Sequence, residues 1–264
     1  MRSGQKFPSY RVVRKKIMIA PELFIYAAAG GLLPAILWLW FWLREDRTYP
    51  EPRRILALTF LGGMIAILPA IALQLSVDTT FASWFQNIES KFKWLTYFGG
   101  ASFFIFIHAA IEELMKFGLC FITALRTKQN DEPVDSIIYL ITTALGFAAV
   151  ENTLFILSSY MDSPTGNQIV SSLIVGNIRF VGASVLHVAA SAFIGIALAM
   201  AFKKSLPMKI LFGSLGIIFA TILHTFFNFL IIDKDSGFLF SFPLAWIAVV
   251  FLILSIEKIK KIKI

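Results

Sequence analysis

Residues 136–158 read SIIYLITTALGFAAVENTLFILS, and Glu151 is the one charged side chain in this stretch. A helix of about 20 apolar residues is long enough to cross the hydrocarbon core of a bilayer. Lipid offers no hydrogen-bond partners, so a chain that crosses it must satisfy its backbone groups within a helix or a closed barrel. The stretch therefore predicts a transmembrane helix that holds one acidic side chain inside it.

Further apolar runs lie on both sides of this helix. Of the 264 residues, 58% are hydrophobic and 15% are charged, whereas about 25% of the residues of a soluble domain are charged. The strict apolar–polar alternation of a membrane β-barrel is absent. The sequence predicts an all-α polytopic transmembrane bundle of about seven spans, possibly eight. The predicted spans are 23–43, 55–76, 95–125, 136–158, 169–202, 210–232 and 237–256.

No separate soluble domain is expected. We predict a basic N-terminal segment over 1–22, a single membrane-embedded helical domain over 23–256, and a basic tail over 257–264. No cleaved signal peptide is expected, and the single cysteine excludes a disulfide framework. The net charge of +8 is attributed to loop lysines and arginines at anionic lipid headgroups rather than to nucleic acid.

The basic residues also predict an orientation. Thirteen lysines and arginines lie in loops 44–54, 126–135, 203–209 and the tail, against three in the loops of the opposite side. Cytoplasmic loops carry the excess of basic residues. We therefore expect a multi-pass protein with the tail cytoplasmic and the N-terminus outside. The six basic residues among the first 22 disagree with this orientation.

Ten polar or charged side chains within the predicted spans are candidates for a function. A charge at the centre of a membrane costs at least about 2.5–3.5 kcal/mol, so these side chains are unexpected unless they serve a purpose. All three histidines of the protein are among them. The ten residues are His108, Glu112, Glu113, Lys116, Glu151, Asn152, Arg179, His187, His224 and Asn228.

Helical spacing predicts which of these side chains meet. His108, Glu112 and Lys116 are four residues apart, so they share one helix face. His224 and Asn228 also share a face, and the interval of eight between Arg179 and His187 predicts the same for that pair. We expect all these faces to turn toward one polar cavity. The alternative is that the carboxylates, Lys116 and Arg179 form buried ion pairs that only fix helix register.

Most known solutions for hydrolysis inside a membrane lack support in this chain. The zinc motif His-Glu-x-x-His is absent, and all seven aspartates fall outside the predicted spans. Neither Ser184 nor Cys120 has the surroundings of a nucleophile. The glutamates remain, since a buried carboxylate can act as general base for water. A histidine and an asparagine on another helix can stabilise an oxyanion.

Several motifs follow one another in the order of a known family. They are LREDRTYPEP (43–52), IEELMK (111–116), DEPVDSIIYLITTALGFAAVEN (131–152), Arg179 with His187, and ILHTFFNF (222–229). The chain resembles the PrsW family of glutamic intramembrane proteases, distant relatives of the CAAX prenyl protease and bacteriocin-processing superfamily. The family often has Asp-Gly where this chain has Asp135-Ser136. His108 has no place in the family pattern.

The resemblance implies a role for each matching residue. Glu112 and Glu113 would be the catalytic glutamates, and His224 with Asn228 would complete the site and stabilise the oxyanion. His187, Glu151 and Asn152 would line the site or orient its members, while Lys116 and Arg179 would balance charge. The protein would lie in a bacterial plasma membrane, its substrate would be a membrane-anchored protein such as an anti-sigma factor, and no cofactor would be needed. Because His224 and Glu151 fall in the outer half of helices that run outward, we also expect the site to open toward the outer leaflet.

Two alternatives remain open. One is a metal-dependent membrane protease in which His187, His224, Glu151 or the glutamate pair bind zinc, which needs three protein ligands and a water. The other is a non-catalytic transporter or scaffold whose inward charges carry protons or bind a lipid headgroup. Sensitivity to a chelator separates the two kinds of protease, and the absence of peptide cleavage would favour the transporter or scaffold.

Overall fold

A computed structural model describes residues 21–44, 50–91, 100–163, 166–232 and 237–261. The described residues are helices and short connections, without a strand, as the sequence predicts for an all-α bundle. The basic segment 1–22 falls almost entirely outside the described residues, as do 45–49 of the 43–52 motif and the last three residues of the tail. The helices are α1 (Pro21–Trp42), α2 (Arg53–Lys91), α3 (Gly100–Cys120), α4 (Asp135–Asp162), α5 (Gln168–Val181), α6 (Ala183–Met200), α7 (Leu206–Ile232) and α8 (Gly237–Ile259).

Five helical segments are long and apolar enough to cross a membrane, which makes the chain an integral membrane protein. They are Pro21–Trp42, Arg53–Phe81, Asp135–Asp162, Gln168–Met200 and Leu206–Leu230. Helix α3 is not among them, because Glu112, Glu113 and Lys116 lie in its middle. It nevertheless packs between α2 and α7, with its charged side chains turned into the bundle.

The structure corrects two predicted boundaries. Helix α2 continues to Lys91, well beyond the predicted end at residue 76. Asp78 is therefore helical, and Asp135 and Asp162 are the first and last residues of α4, so the expectation that every aspartate lies in a loop is wrong. The predicted span 169–202 is divided at Gly182 into α5 and α6. A π-helical turn, Phe121–Leu125, follows α3 directly.

Helix α4 is the centre of the bundle and packs against α1, α2 and α6. It is buried on all sides over its first half, as expected for a helix that is apolar all round. Two glycines allow the backbones of α2 and α4 to touch. A Cβ at Gly63 would overlap the carbonyl oxygen of Thr143, and one at Gly146 would overlap that of Phe60. Small residues at such crossings are the usual means of close packing in membranes.

The loop before α4 is held by the first residue of that helix. One carboxylate oxygen of Asp135 accepts hydrogen bonds from the backbone amides of Asp131 and Glu132 in the preceding loop. One turn further on, the buried hydroxyl of Tyr139 contacts the carboxylate of Glu51. These contacts tie the two loop motifs of the sequence, 43–52 and 131–135, to the same end of α4.

Candidate active site

Side chains from four helices meet in the interior of the bundle. Helix α3 contributes two glutamates and a lysine, α4 contributes Glu151, α6 contributes His187, and α7 contributes His224. These are the helices on which the sequence analysis found charged or imidazole groups inside apolar runs. The structure therefore brings the predicted polar faces together, as the spacing of the residues indicates.

Glu113 is enclosed and fully hydrogen bonded. Its Oε1 lies 2.5 Å from Nζ of Lys116 and 2.8 Å from Nδ1 of His224, and its Oε2 accepts a hydrogen bond of 3.0 Å from the hydroxyl of Ser191. The side chains of Glu113 and Lys116 have no exposed surface. A carboxylate with three partners orients its neighbours, and it has no free oxygen to offer a substrate or a water.

Glu112, the adjacent residue, has very different surroundings. Its Oε1 accepts a hydrogen bond of 3.1 Å from the side-chain amide of Gln74 on α2. Its Oε2 is buried without a hydrogen-bond partner among the described residues, and it lies 3.6 Å from Nε2 of His224. Leaving a buried oxygen without a hydrogen bond costs free energy. A water or substrate group in the cavity could supply the missing hydrogen bond to this atom.

A second ion pair lies on the opposite side of the site. The guanidinium of Arg179, in the last turn of α5, contacts the carboxylate of Glu151 and donates from Nε to the side-chain oxygen of Asn152 at 2.7 Å. Asn152 in turn donates to Ser184 of α6 at 3.0 Å. Nε2 of His187 lies 2.9 Å from Glu151. Arg179 and His187 therefore meet through Glu151 and lie on separate helices, which corrects the expectation that they share one helix face.

The contacts of His187 define its tautomer. Lys116 can only donate, and its Nζ lies 3.1 Å from Nδ1 of His187, so Nδ1 accepts. The ring proton is then on Nε2 and is donated to Glu151. His187 also packs against the ring of His224, with ring centroids 5.1 Å apart in an edge-to-face arrangement. Both nitrogens of His187 are occupied by protein groups, whereas Nε2 of His224 faces Glu112.

These side chains form one wall of a cavity of about 470 Å³. Apolar side chains such as Ile67, Phe147 and Phe227 form much of the remaining lining. A largely apolar cavity with a few converging polar groups is the usual form of a binding or catalytic site. The predicted site residues that line it are Glu112, Glu151, Arg179, His187, His224 and Asn228, while Glu113, Lys116 and Asn152 lie behind them.

The structure adds partners that the sequence analysis did not identify. Gln74 holds Glu112, Ser191 holds Glu113, and Ser184 holds Asn152. His108 also lines the cavity, and its Nε2 is 2.8 Å from the carboxylate of Asp78. Gln74 and Asp78 are four residues apart on α2, facing Glu112 and His108 at the same interval on α3. The equal spacing of the two pairs is the feature of the sequence that could have indicated these contacts. It has this meaning only if α2 continues past residue 76, because Asp78 must be helical to face His108.

Three of these residues have the composition of a cation site. One ligand atom each from Glu112, His187 and His224 lies within 4.8 Å of the others. The free oxygen of Glu112 and the Nδ1 contact between His224 and Glu113 both fit, because a metal-bound histidine usually donates its other ring nitrogen to a carboxylate. The tautomer of His187 does not fit, because its Nε2 carries a proton and its Nδ1 faces an ammonium. Glu151, another predicted ligand, is already engaged by Arg179 and His187.

A model of a known protein family matches residues 51–256, and that family is described as the PrsW family of intramembrane metalloproteases. The match begins at Glu51 and includes every side chain of the cavity described above. It also covers well over half of the chain.

Curated relatives carry the same family name. Protease PrsW of Bacillus subtilis (strain 168) is 22% identical over 221 residues, which are 81% of this chain and 87% of that protein. Protease PrsW of Geobacillus kaustophilus (strain HTA426) is 25% identical over 158 residues, 56% of this chain and 63% of that protein. No solved structure matches this chain.

Proposed function

This chain belongs to the PrsW family of intramembrane proteases, and we propose that it cleaves membrane-anchored proteins with a water molecule activated by Glu112. One observation carries this proposal. Glu112 Oε2 is buried on the wall of the cavity without a hydrogen-bond partner in the part of the chain that the structure describes, and it faces Nε2 of His224 across 3.6 Å. Glu113, by contrast, has partners on both oxygens. The structure thus favours Glu112 as the base and Glu113 as the residue that positions His224.

The proposed reaction needs one proton carrier and one oxyanion site. Glu112 takes a proton from water while the water oxygen bonds to the carbonyl carbon of the substrate. The resulting oxyanion accepts hydrogen bonds from Nε2 of a protonated His224 and from the amide of Asn228. When the C–N bond breaks, Glu112 returns its proton to the leaving nitrogen. General acid–base catalysis of this kind typically contributes about 10²–10⁴-fold in rate.

The charges of the site agree with a protonated His224. Lys116 pairs with Glu113 and Arg179 pairs with Glu151, which leaves the carboxylate of Glu112 to be balanced. An imidazolium at His224 lies between the two glutamates of α3 and balances it. The six charged groups then sum to zero, and a neutral set is less costly to bury than an uncompensated charge.

A divalent cation is the second candidate, and three observations favour it. The family is described as a metalloprotease family, the three ligand atoms lie close together, and Glu112 has a free oxygen. A bound zinc would polarise the substrate carbonyl and acidify a bound water. In this case Glu112 and His224 would be ligands, and His224 would be neutral.

The two candidates predict different responses to a chelator. We expect the purified protein in liposomes to cleave a susceptible single-span substrate equally well before and after treatment with a zinc chelator. Metal content measured by mass spectrometry should be well below one ion per chain in both samples. Cleavage that is lost with the chelator, restored by zinc, and accompanied by one bound ion per chain would replace the metal-independent mechanism with the zinc mechanism.

The position of the cavity supports a proposal for the segment of the substrate that is cleaved. His224 is 18 residues beyond the start of α7 and Glu151 is 16 beyond the start of α4, which places them about 25 Å from the basic end of the bundle. With that end cytoplasmic, the site lies in the outer half of the membrane. We therefore propose cleavage of an extracytoplasmic or membrane-embedded segment of an anchored protein, and the family resemblance implies an anti-sigma factor as an example.

Cysteine labelling tests this orientation. In intact cells, Asn167→Cys should react with a membrane-impermeant maleimide, and Ser205→Cys should react only after the cells are permeabilised. Both positions are exposed at opposite ends of the bundle, and the native Cys120 is buried, so it adds little background. Labelling of Ser205→Cys in intact cells would place the 203–209 loop outside and reverse the proposed orientation.

A further inference from the structure

A second, larger cavity lies at the opposite end of the bundle from the candidate active site. Its volume is about 620 Å³, and its lining shares no residue with the cavity that contains Glu112. It is bounded by the π-helical turn Phe121–Leu125, the end of α6 and the first three turns of α7, and it is partly open, since Leu206 and Ile210 of its lining are exposed. These helix ends border loop 126–134, in which two basic and two acidic residues cancel, and the basic loop 201–205.

The cavity has an apolar body and a polar end. Phenylalanine, leucine and isoleucine side chains from α3, α6 and α7 form the body. The polar residues of the lining are Lys209, Asn130, Ser136 and Ser214, and Ser136 donates to Asn130 at 3.1 Å. Lys209 is the one charged residue of the lining, and its Nζ lies 5.6 Å from the centre of the Phe202 ring. This distribution fits a molecule with an apolar tail and a negatively charged head.

The surrounding sequence supports an anionic head. Lys203 and Lys204 precede Lys209, and α6, α7 and the loop between them contain no aspartate or glutamate. The acidic residues at this end, Asp131, Glu132 and Asp135, lie on the α4 side beside Asn130 and Ser136, so the anionic head is assigned to the side of Lys209. Basic pockets between transmembrane helices at the cytoplasmic side are the usual binding sites for anionic lipid headgroups. An apolar cavity of this size would lose packing contacts if it stayed empty, and in a bilayer the molecules at hand to fill it are lipids.

We propose that this cavity binds one anionic glycerophospholipid, with an acyl chain in the apolar body and the phosphate beside Lys209. The bound lipid would support the π-helical turn, which continues α3 and follows Lys116 by only five residues. Because a ligand that binds only the folded state raises stability by mass action, the lipid should stabilise the protease. This inference is independent of the catalytic mechanism proposed above.

The test uses the full-length protein purified in a neutral detergent. Phosphatidylglycerol is added, and bound lipid is counted by native mass spectrometry while thermal unfolding is followed in parallel. We expect one retained phosphatidylglycerol and a higher unfolding temperature. Phosphatidylcholine with the same acyl chains should bind at least about fivefold more weakly, in line with about 1 kcal/mol for one lysine near an anionic surface. Inorganic phosphate should have no effect, since it lacks the acyl chain.

Two variants separate the headgroup from the tail. Lys209→Gln should weaken phosphatidylglycerol binding about fivefold, and Ser214→Phe should abolish it by filling the body of the cavity. Lys258→Gln is the matched control, because it removes an exposed lysine near the end of α8, at the same end of the bundle. Equal binding of the two lipids by the native protein, or equal effects of Lys209→Gln and Lys258→Gln, would overturn the proposal. Cleavage by Lys209→Gln should persist, so failure of the lipid site is distinguishable from failure of the catalytic proposal.

Discussion

Replacement of Glu112 by glutamine is expected to abolish peptide cleavage while leaving the bundle folded. Glutamine has nearly the same shape and can still accept the hydrogen bond of Gln74, but it cannot take a proton from water. The loss of a general base predicts a fall in rate of about 10²–10⁴-fold. Initial rates in liposomes measure the loss, and the unfolding temperature in detergent should stay within a few degrees of that of the native protein.

The matched control for this variant is Glu257→Gln. It makes the same chemical change at an exposed carboxylate of α8, far from the cavity, and should cleave at the native rate. If Glu112→Gln retained more than about one tenth of the native rate, the loss of rate would be smaller than that expected for removal of a general base. That result would remove Glu112 from the role of base and leave its neighbours as candidates.

The second large effect is expected on stability, from Lys116→Met. This change leaves the carboxylate of Glu113 buried with no exposed surface and without its cationic partner at 2.5 Å. Loss of one partner of a buried ion pair typically costs about 3–5 kcal/mol. We expect a large fall in the unfolding temperature, measured by tryptophan fluorescence during heating. We also expect loss of folded protein on purification, measured by size-exclusion chromatography.

The chain contains a natural comparison for this pair. Glu257 and Lys260 have the same i, i+3 spacing, but they are exposed at the end of α8, with side chains 53% and 32% accessible. Lys260→Met should therefore cost less than about 1 kcal/mol. The double variant Glu113→Gln, Lys116→Met removes both buried charges and should regain most of the stability. If Lys116→Met and Lys260→Met had the same unfolding temperature, the buried pair would contribute no more to stability than the exposed pair.

Local spacing was enough to predict which side chains of one helix act together. The intervals of four between His108, Glu112 and Lys116 indicated one face of α3, and the structure places that face toward the interior. The apolar runs indicated where most helices lie, because a bilayer imposes a minimum length on each of them. Both signals are contained in short stretches of sequence, so they can be identified without knowing the fold.

Contacts between distant residues were not predictable in this way. The two glutamates of α3 are neighbours in sequence, and their difference arises from Ser191 on α6 and Gln74 on α2. Both partners are ordinary polar residues that could equally face solvent or a neighbouring backbone group. The break at Gly182 was also missed, because the apolar composition continues across it. The orientation of Arg179 toward Glu151 depends on that break, which no periodicity in the sequence indicates.

The i, i+3 pairing of Glu113 with Lys116 also affects how the protein is made. A transmembrane helix enters the bilayer during synthesis, before later helices exist, and each charge at its centre costs about 2.5–3.5 kcal/mol. Helix α3 contains three such charges, but two of them neutralise each other within one turn. The third, Glu112, accepts a hydrogen bond from Gln74 of α2, a helix that has already been synthesised. Helix α3 therefore enters the bilayer with one unbalanced charge, that of Glu112, for which Gln74 supplies a hydrogen bond until His224 of α7 is synthesised.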